Sequence, residues 1–420
     1  MTPVKMVVFG GGSSYTPELV DGLIAQYEQF PVTELSLLDI NEQRLEIVAG
    51  LSRRMLARAG LPVQVTTTTA DRGEALEGAA YVNSVIRVGG MEARIRDERV
   101  PLRHGVLGQE TTGPGGMMKA LRTIPVVLSL AQDMERYCPD AWLINYTNPS
   151  GIMAEALGKH SRVRFVGLCS GPDGWIAAVL QLMGVEPERA AVDWLGLNHL
   201  GYVTRVWVDG RDVTERAVEA VADHWRLDPE LIRTLGAIPC SYLAYYYHQP
   251  RLVEQAREPG HRTRGEVVRE IEGELLRQYA DPRLAEKPDL LRQRGGGGYS
   301  DMAYTAMLAI HHNRSTRQIV QVLNQGSLDG LPDDASVEVP CLVDSRGPRP
   351  LRMGVIPLPI RGLIQAVKAY ESLTVQAAVE GSRRVALQAL LAHPMVPSWE
   401  VAKALLEDLM EANREWIPWA

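Results

Sequence analysis

Only four of the 420 residues are cysteines, Cys138, Cys169, Cys240 and Cys341, and they are scattered along the chain. So few and so spread, they exclude a disulfide framework and a four-thiolate zinc site; any cysteine that matters is expected to matter singly, as a thiolate. No apolar run approaches the about 18 residues that a membrane span requires. The chain also opens directly on a strand-like apolar run, so no signal peptide is expected. Basic blocks are missing too. With a net charge of −7, nothing is suited to neutralising a row of phosphates, which excludes nucleic acid as a partner. Internal repeats, low-complexity linkers and a disordered tail are likewise lacking. What remains is an ordinary globular composition, 45% hydrophobic and 23% charged, for which a cytoplasmic location is the expectation. The length exceeds that of a single core and suggests two domains.

The stretch from Val4 to Asp39 reads as one unit. Val4 to Phe9 is apolar, rich in β-branched residues and ended by glycines, the pattern of a buried parallel strand. Gly10, Gly11 and Gly12 leave a loop without side chains, so that backbone N–H groups can approach a pyrophosphate at the positive end of the next helix. Thr16, Pro17 and Glu18 read as N-cap, first helical position and acidic first turn. Leu19, Val20, Leu23, Ile24 and Tyr27 then recur at helical spacing. Leu35 to Ile40 reads as a second strand bearing Asp39 at its end, where a dinucleotide site holds a carboxylate for the adenosine ribose. The third glycine of the usual fingerprint is replaced by Tyr15, and a tight turn with a strand-capping aspartate is the plainer alternative. Strand, loop, helix, strand and acid nevertheless follow in order. Gly10, Gly11, Gly12, Ser13, Ser14, Tyr15 and Asp39 are thus the expected cofactor residues, and Asp rather than Arg favours NAD over NADP.

Strands and helices keep alternating through the first half: a helix at Gln43 to Ala59, strands at Val63 to Thr68 and Tyr81 to Ile86, a helix at Ala120 to Arg136, strands at Trp142 to Tyr146 and Arg164 to Leu168. This predicts an α/β, Rossmann-like doubly wound parallel sheet over residues 1–194, with ligands beyond the carboxyl ends of the strands. Arg87, Asn145, Asn148 and Cys169 occupy such ends, and Arg87 is counted with the cofactor residues. From about residue 195 the pattern changes. Trp194 to Arg205 and Arg205 to Val213 read as antiparallel strands, the latter turning at Asp209-Gly210. Helical segments dominate thereafter, so residues 195–420 are expected to form a mixed α+β domain for substrate, metal and oligomerisation.

Ile86 to Arg122 is polar and glycine-rich and carries Arg87, Arg94, Arg96, Arg99 and Arg103. A loop of that length above a sheet is usually functional, although any single arginine in it is as often simply solvated. Cys169 and His199 both end apolar strand patterns. A thiolate and an imidazole suit a borderline divalent ion with open positions; a buried structural cysteine and a hydrogen-bonded histidine are the commoner pair by spacing alone. The tyrosines of Ser241 to Tyr247 suit core packing, or a base if a cationic neighbour lowers one pKa.

Longer motifs carry a resemblance. GGGSSYTPELV, GVLGQETTGPGGMMKALRTIPVV, NYTNPSG, GLC, GLNHL, RGGGGYS and LPDDASVEVPC resemble the family 4 glycoside hydrolases, and SSYTPELV resembles the 6-phospho-β-glucosidases among them. The similarity runs from Met6 to about Arg414. It implies a lactate/malate dehydrogenase-like fold and an NAD- and divalent metal-dependent glycosidase, usually with manganese, outside the two-carboxylate rule. In the implied reaction NAD takes a hydride from carbon 3 of the sugar, a base removes the acidified proton on carbon 2, and the aglycone leaves from carbon 1. Water then adds and the hydride returns. By the same resemblance Cys169 and His199 hold the metal, Tyr242 in Pro239 to Leu243 is the base, and Arg94, Asn148, Ser170 and Arg262 meet substrate, Arg262 reading the 6-phosphate. The implied assembly is a homodimer or homotetramer. One position departs: after the metal cysteine the β-glucosidase members carry Asn and the α-glucosidase members Asp, whereas Ser170 stands here. A hydroxyl cannot serve as the acid, which disfavours α-glucosidase chemistry and puts the sugar preference and phosphate requirement in question. The competing class is an NAD-dependent hydroxy acid or sugar dehydrogenase, which would accumulate NADH.

Overall fold

The computed structural model describes residues 4–295 and 298–419; the RGGGGYS motif lies partly outside them, at residues 296–297. In the first half β1 (Val4–Phe9), β2 (Val32–Leu38), β3 (Gln64–Thr68), β4 (Tyr81–Ser84), β5 (Trp142–Asn145) and β6 (Arg164–Gly167) form one parallel sheet in the order β3-β2-β1-β4-β5-β6. Helices α1 (Thr16–Gln26), α2 (Glu42–Arg58), α3 (Arg72–Leu76), α4 (Gly90–Arg103), α5 (Gly113–Tyr137), α6 (Ser150–His160) and α7 (Gly171–Met183) are interspersed among these strands. The order reverses at β1, so the loops after β1 and β4 diverge and open the crevice in which such sheets bind ligands. The doubly wound expectation holds.

The second half contributes a sheet of its own. There β7 (Ala190–Leu197) and β8 (Leu200–Val208) pair antiparallel, joined by β9 (Arg211–Asp212) and β10 (Ile238–Pro239). It also lengthens the first sheet: β11 (Thr316–Leu323) pairs antiparallel with β6 through Gln321 and Gly167, and β13 (Ser336–Asp344) and β14 (Gly347–Pro350) follow outward. A short parallel pair, β12 (Leu328–Asp329) with β15 (Gly354–Val355), stands apart. The remaining helices are α8 (Thr214–Ala222), α9 (Pro229–Leu235), α10 (Ala244–Tyr247), α11 (Gln249–Arg257), α12 (Arg264–Tyr279), α13 (Leu291–Arg294), α14 (Tyr299–His311), α15 (Leu358–Glu380), α16 (Arg383–Ala392) and α17 (Trp399–Asn413). Helices dominate the second half as expected, and the long β11 and β13 are strands that the sequence reading does not name.

Two local expectations are also corrected. Thr16 is the first residue of α1 rather than its cap, and its hydroxyl donates to Gly11 O at 2.9 Å. The supposed loop from Ile86 to Arg122 is mostly helix. In α4 the buried positions mix Arg94, Asp97 and Glu98 with Met91, Ala93, Val100 and Leu102, so charges interrupt the apolar period of the helix. At the start of α5 the glycines make room for backbone: a Cβ on Gly115 would lie 2.4 Å from Gln109 O, and one on Gly116 2.5 Å from the Thr111 carbonyl carbon. Arg122 of α5, fully buried, pairs with Asp97 of α4 and donates to Asn413 of α17 at 3.0 Å, tying both helices to the last one.

Candidate active site

The glycine loop after β1 is shaped by close approach. Gly10 has φ +95°, a Cβ on Gly11 would fall 2.7 Å from Leu37 Cβ, and one on Gly12 3.0 Å from Asp39 Oδ2. Because no Cβ intervenes, Gly12 N–H donates to Asp39 Oδ2 at 2.9 Å, while Asn41 N–H donates to Oδ1 at 2.9 Å. The carboxylate is thus fixed at the end of β2 beside the loop, where the ribose reading needs it. Ser13 Oγ accepts from Tyr15 N–H at 3.2 Å. Ser14 donates to Glu272 of α12 at 3.1 Å, and its carbonyl accepts from Tyr279 OH at 2.7 Å. Arg294 pairs with Glu272 and lies 5.5 Å over the Tyr15 ring. Glu272 and Arg294 are absent from the expected set, since they come from the other half of the chain.

Arg87, placed just beyond β4, and Arg94 of α4 converge on one carboxylate, Glu110. Arg87 pairs with its Oε1 and Arg94 with Oε2 at 2.7 Å, Lys119 of α5 adds a third cation, and Arg94 also holds Glu98 at 2.7 Å. Burial alone would raise the Glu110 carboxyl, but the three cations hold it well below the usual carboxylate range. Burial and the neighbouring Arg87 push the Lys119 amine down to about 7 despite Glu110. Two residues assigned separately to cofactor and substrate therefore share a node. Glu110 sits in the QETTGPGG run, and reading that run as a helix start is the signal that would find it.

Cys169 lies in the short connection between β6 and α7, and His199 sits in the tight β7–β8 turn with φ +64°. Tyr242 follows β10 in a short 3₁₀ turn, Ser241–Leu243. Its ring stacks on the His199 imidazole, centroids 4.1 Å apart and planes at 26°. Trp175 of α7 meets Tyr242 edge-on at 5.1 Å and donates from Nε1 to Ser241 Oγ at 3.2 Å. Tyr245 also stacks on the Tyr242 ring, at 5.7 Å. Burial pushes the Cys169 thiol up to about 12 and the His199 imidazole down to about 4. It raises the Tyr242 phenol as well, and the buried Cys169 nearby adds to that. All three groups are thus neutral in the pocket by itself.

That donor set fits a divalent ion. His199 is already in the unprotonated form a metal needs, and a coordinated thiol gives up its proton outright. Asn198 hydrogen-bonds the Cys169 sulfur, while its own buried Oδ1 has no partner. Among the described residues no group of three or more His, Cys, Asp or Glu could hold a metal. Cys169 and His199 would therefore supply two donors and leave the other positions to substrate oxygens.

Ser170 precedes α7, and Asn148, whose Oδ1 accepts from Ser150 N–H at 3.4 Å, lies beyond β5; both are at carboxyl ends of the sheet. Arg262 is exposed just before α12, and its described ion pair is with Glu270, so none of its described contacts joins it to the Cys169, His199 and Tyr242 group. Glu338 on β13, within the LPDDASVEVPC run, is buried behind that group. Burial pushes its carboxyl up to about 7.

Known proteins resemble this chain along nearly its whole length. Residues 5–185 match the family 4 glycosyl hydrolase model, and residues 194–396 match that family's C-terminal domain. A probable 6-phospho-β-glucosidase of Bacillus subtilis is 42% identical over 99% of this chain and 97% of its own length. The 6-phospho-β-glucosidase of Thermotoga maritima, solved with manganese, NAD⁺ and glucose-6-phosphate, superposes with a TM-score of 0.90 at 34% identity over 99% of both chains. For the fold alone, the lactate dehydrogenase of Eimeria maxima gives 0.55 at 15% identity, covering 90% of this chain and 97% of that one.

Proposed function

The chain belongs to the family 4 glycosyl hydrolases, and from that premise we propose that it hydrolyses 6-phospho-β-glucosides with NAD and a divalent metal, manganese by preference. The observation that carries the proposal is the stacked pair of Tyr242 and His199, half-buried beside Cys169, beyond a sheet whose first loop is hydrogen-bonded to Asp39 as a dinucleotide cradle requires. When bound, NAD supplies a reversible hydride acceptor and the metal supplies Lewis acidity at the sugar oxygens.

The chain's own residues do the rest. Gly10 to Tyr15 present backbone N–H groups and a helix start to the pyrophosphate, and Asp39 takes the ribose hydroxyls. Cys169 and His199 hold the metal. Tyr242 removes the proton from carbon 2, a role that requires a nearby positive charge, because burial alone keeps the phenol protonated. Its stack on a metal-holding imidazole puts the hydroxyl's ring where that charge acts. Trp175 and Tyr245 pack against the ring, hold its orientation and keep water away from it. Arg94, Asn148 and Ser170 face the sugar. Arg262 takes the 6-phosphate by exchanging an exposed ion pair with Glu270, an interaction worth only about 0–1 kcal/mol, for charge-assisted bonds to phosphate.

A cytoplasmic location and a homodimeric or homotetrameric state complete the proposal. All four cysteines are buried and unpaired, as suits a reducing compartment, and Val355 and Leu358 expose apolar surface to which a second copy can dock. A panel of nitrophenyl glycosides, with and without the 6-phosphate, assayed with NAD and Mn²⁺ under reducing conditions, tests the function. Nitrophenol release confined to the phosphorylated β-glucoside, without accumulating NADH, is expected; accumulating NADH would identify a dehydrogenase instead.

A further inference from the structure

Buried carboxylates elsewhere in the molecule have cations. Glu155 pairs with Lys368 at 2.9 Å, Asp97 with Arg122, Glu110 with three basic side chains and Glu272 with Arg294. Glu338 is the exception: at 1% exposure it forms no ion pair with a described residue. It accepts instead from three uncharged side chains, Trp194 Nε1 at 3.2 Å, Asn198 Nδ2 at 3.2 Å and Gln321 Nε2 at 2.6 Å. Each of these partners offers a proton and none offers a charge. A buried acid held this way lacks its counter-ion, and such acids are normally paired or placed at a metal.

The hydrogen bonds around Glu338 have a direction. Ser150, in the NYTNPSG turn, donates to Gln321 Oε1 at 2.8 Å, which points the Gln321 amide nitrogen at Glu338. Glu338 in turn fixes the Asn198 amide so that its nitrogen faces both the carboxylate and the Cys169 sulfur. Asn198 is the residue before His199. One carboxylate on β13 thereby sets the side chain that touches one proposed metal donor and the backbone that carries the other. We propose that Glu338, acting through Asn198, is the outer-shell carboxylate of a metal centre at Cys169 and His199, a positioning residue whose negative charge is balanced by the bound divalent cation. The inference rests on the metal reading given above and adds a residue to it.

The test is a calorimetric titration of metal-stripped, NAD-saturated protein with Mn²⁺. Glu338→Gln keeps the volume and most of the hydrogen bonding but removes the charge, so the Kd for Mn²⁺ should rise 10- to 100-fold, while the Kd for NAD and the Tm do not worsen. A merely structural acid would behave differently: its loss would lower the Tm and weaken both ligands together, and that outcome, or a Kd for Mn²⁺ within twofold of wild type, would overturn the proposal. Asn198→Ala should weaken Mn²⁺ similarly, and the double variant should be no worse than the weaker single; additive losses would refute the relay. If Glu338→Gln does not fold, Asn198→Ala decides alone, an unchanged Kd counting against the inference. Cys169→Ser is the control for the premise. Mn²⁺ binding that survives it would sink the metal centre itself, whereas binding lost in Cys169→Ser but intact in Glu338→Gln would sink only the role of Glu338.

Discussion

At the proposed dinucleotide end, one contiguous stretch from Val4 to Asp39 offers mostly backbone, three glycines and a helix start, together with one fixed carboxylate. At the reaction end, Cys169, His199 and Tyr242 come from three separate elements, and Arg94, Glu110 and Lys119 from two helices and the connection between them. There the proposed roles fall to side chains, and the backbone merely delivers them. A site of the first kind is altered gradually by crowding, whereas a site of the second kind fails when one group is removed.

The largest expected effect separates the two ends outright. Cys169→Ser or His199→Ala should abolish turnover and leave the Kd for NAD nearly unchanged; a variant with full activity in chelator-treated buffer would remove the metal from the reaction end. Next comes Tyr242→Phe, which keeps the stack on His199 and deletes the hydroxyl. It should cut kcat by roughly 10²–10⁴, and the wild-type enzyme working in heavy water should place deuterium on carbon 2 of the product. Label without loss of rate in Tyr242→Phe would mean another base, with Tyr245 the first to examine.

Acid should also strike the reaction end. His199 is half-buried at that end and His393 is buried against Tyr246 and Tyr370; burial pushes their imidazoles down to about 4 and about 3 from the usual 6.5, so both are neutral. The unfolded chain therefore takes up protons first as pH falls. The stability tied to these groups is complete above about pH 6.5 and is lost progressively toward pH 4, then 3, with a slope of up to about 1.4 kcal/mol per pH unit for each histidine. Denaturant titrations of metal-free protein at several pH values should show that slope, and His393→Asn should reduce it; an unaltered slope would put its source elsewhere. The smallest effect belongs to the cradle. Gly12→Ala pushes a methyl to 3.0 Å from Asp39 Oδ2, which should weaken NAD by about tenfold, in line with about 1–3 kcal/mol for overpacking. Its kcat at saturating NAD should hold, and a fallen kcat would show the two ends to be coupled.

The same contrast explains what the sequence reveals. The parallel sheet and its glycine loop are legible because each βαβ step is local and its apolar period is plain. Helix α4 is hidden because Arg94, Asp97 and Glu98 stand on its buried face among Met91, Ala93, Val100 and Leu102, and a hydrophobic period broken by charges does not register. The start of α5 reads as loop because Gly115 and Gly116 suggest flexibility when they in fact admit the backbone of Gln109 and Thr111. Strands β11, β13 and β14 join a sheet whose parallel strands lie far away in the chain, so nothing near them announces that they extend it. Cys169, His199 and Tyr242 gain their roles only through longer motifs, and Glu110, Glu272 and Glu338, which matter through their neighbours, escape a reading made one residue at a time.

The junction at which Gln321 of β11 meets Gly167 of β6 bears on how the protein can be handled. A Cβ on Gly167 would lie 2.9 Å from Gln321 Cβ, so the added strand sits hard against the parallel ones. A shortened chain ending near residue 194 would leave β6 as a bare margin, its N–H and C=O groups open to any passing strand. Fragments of that kind invite precipitation, and grafting either half onto another protein would require a substitute border along β6.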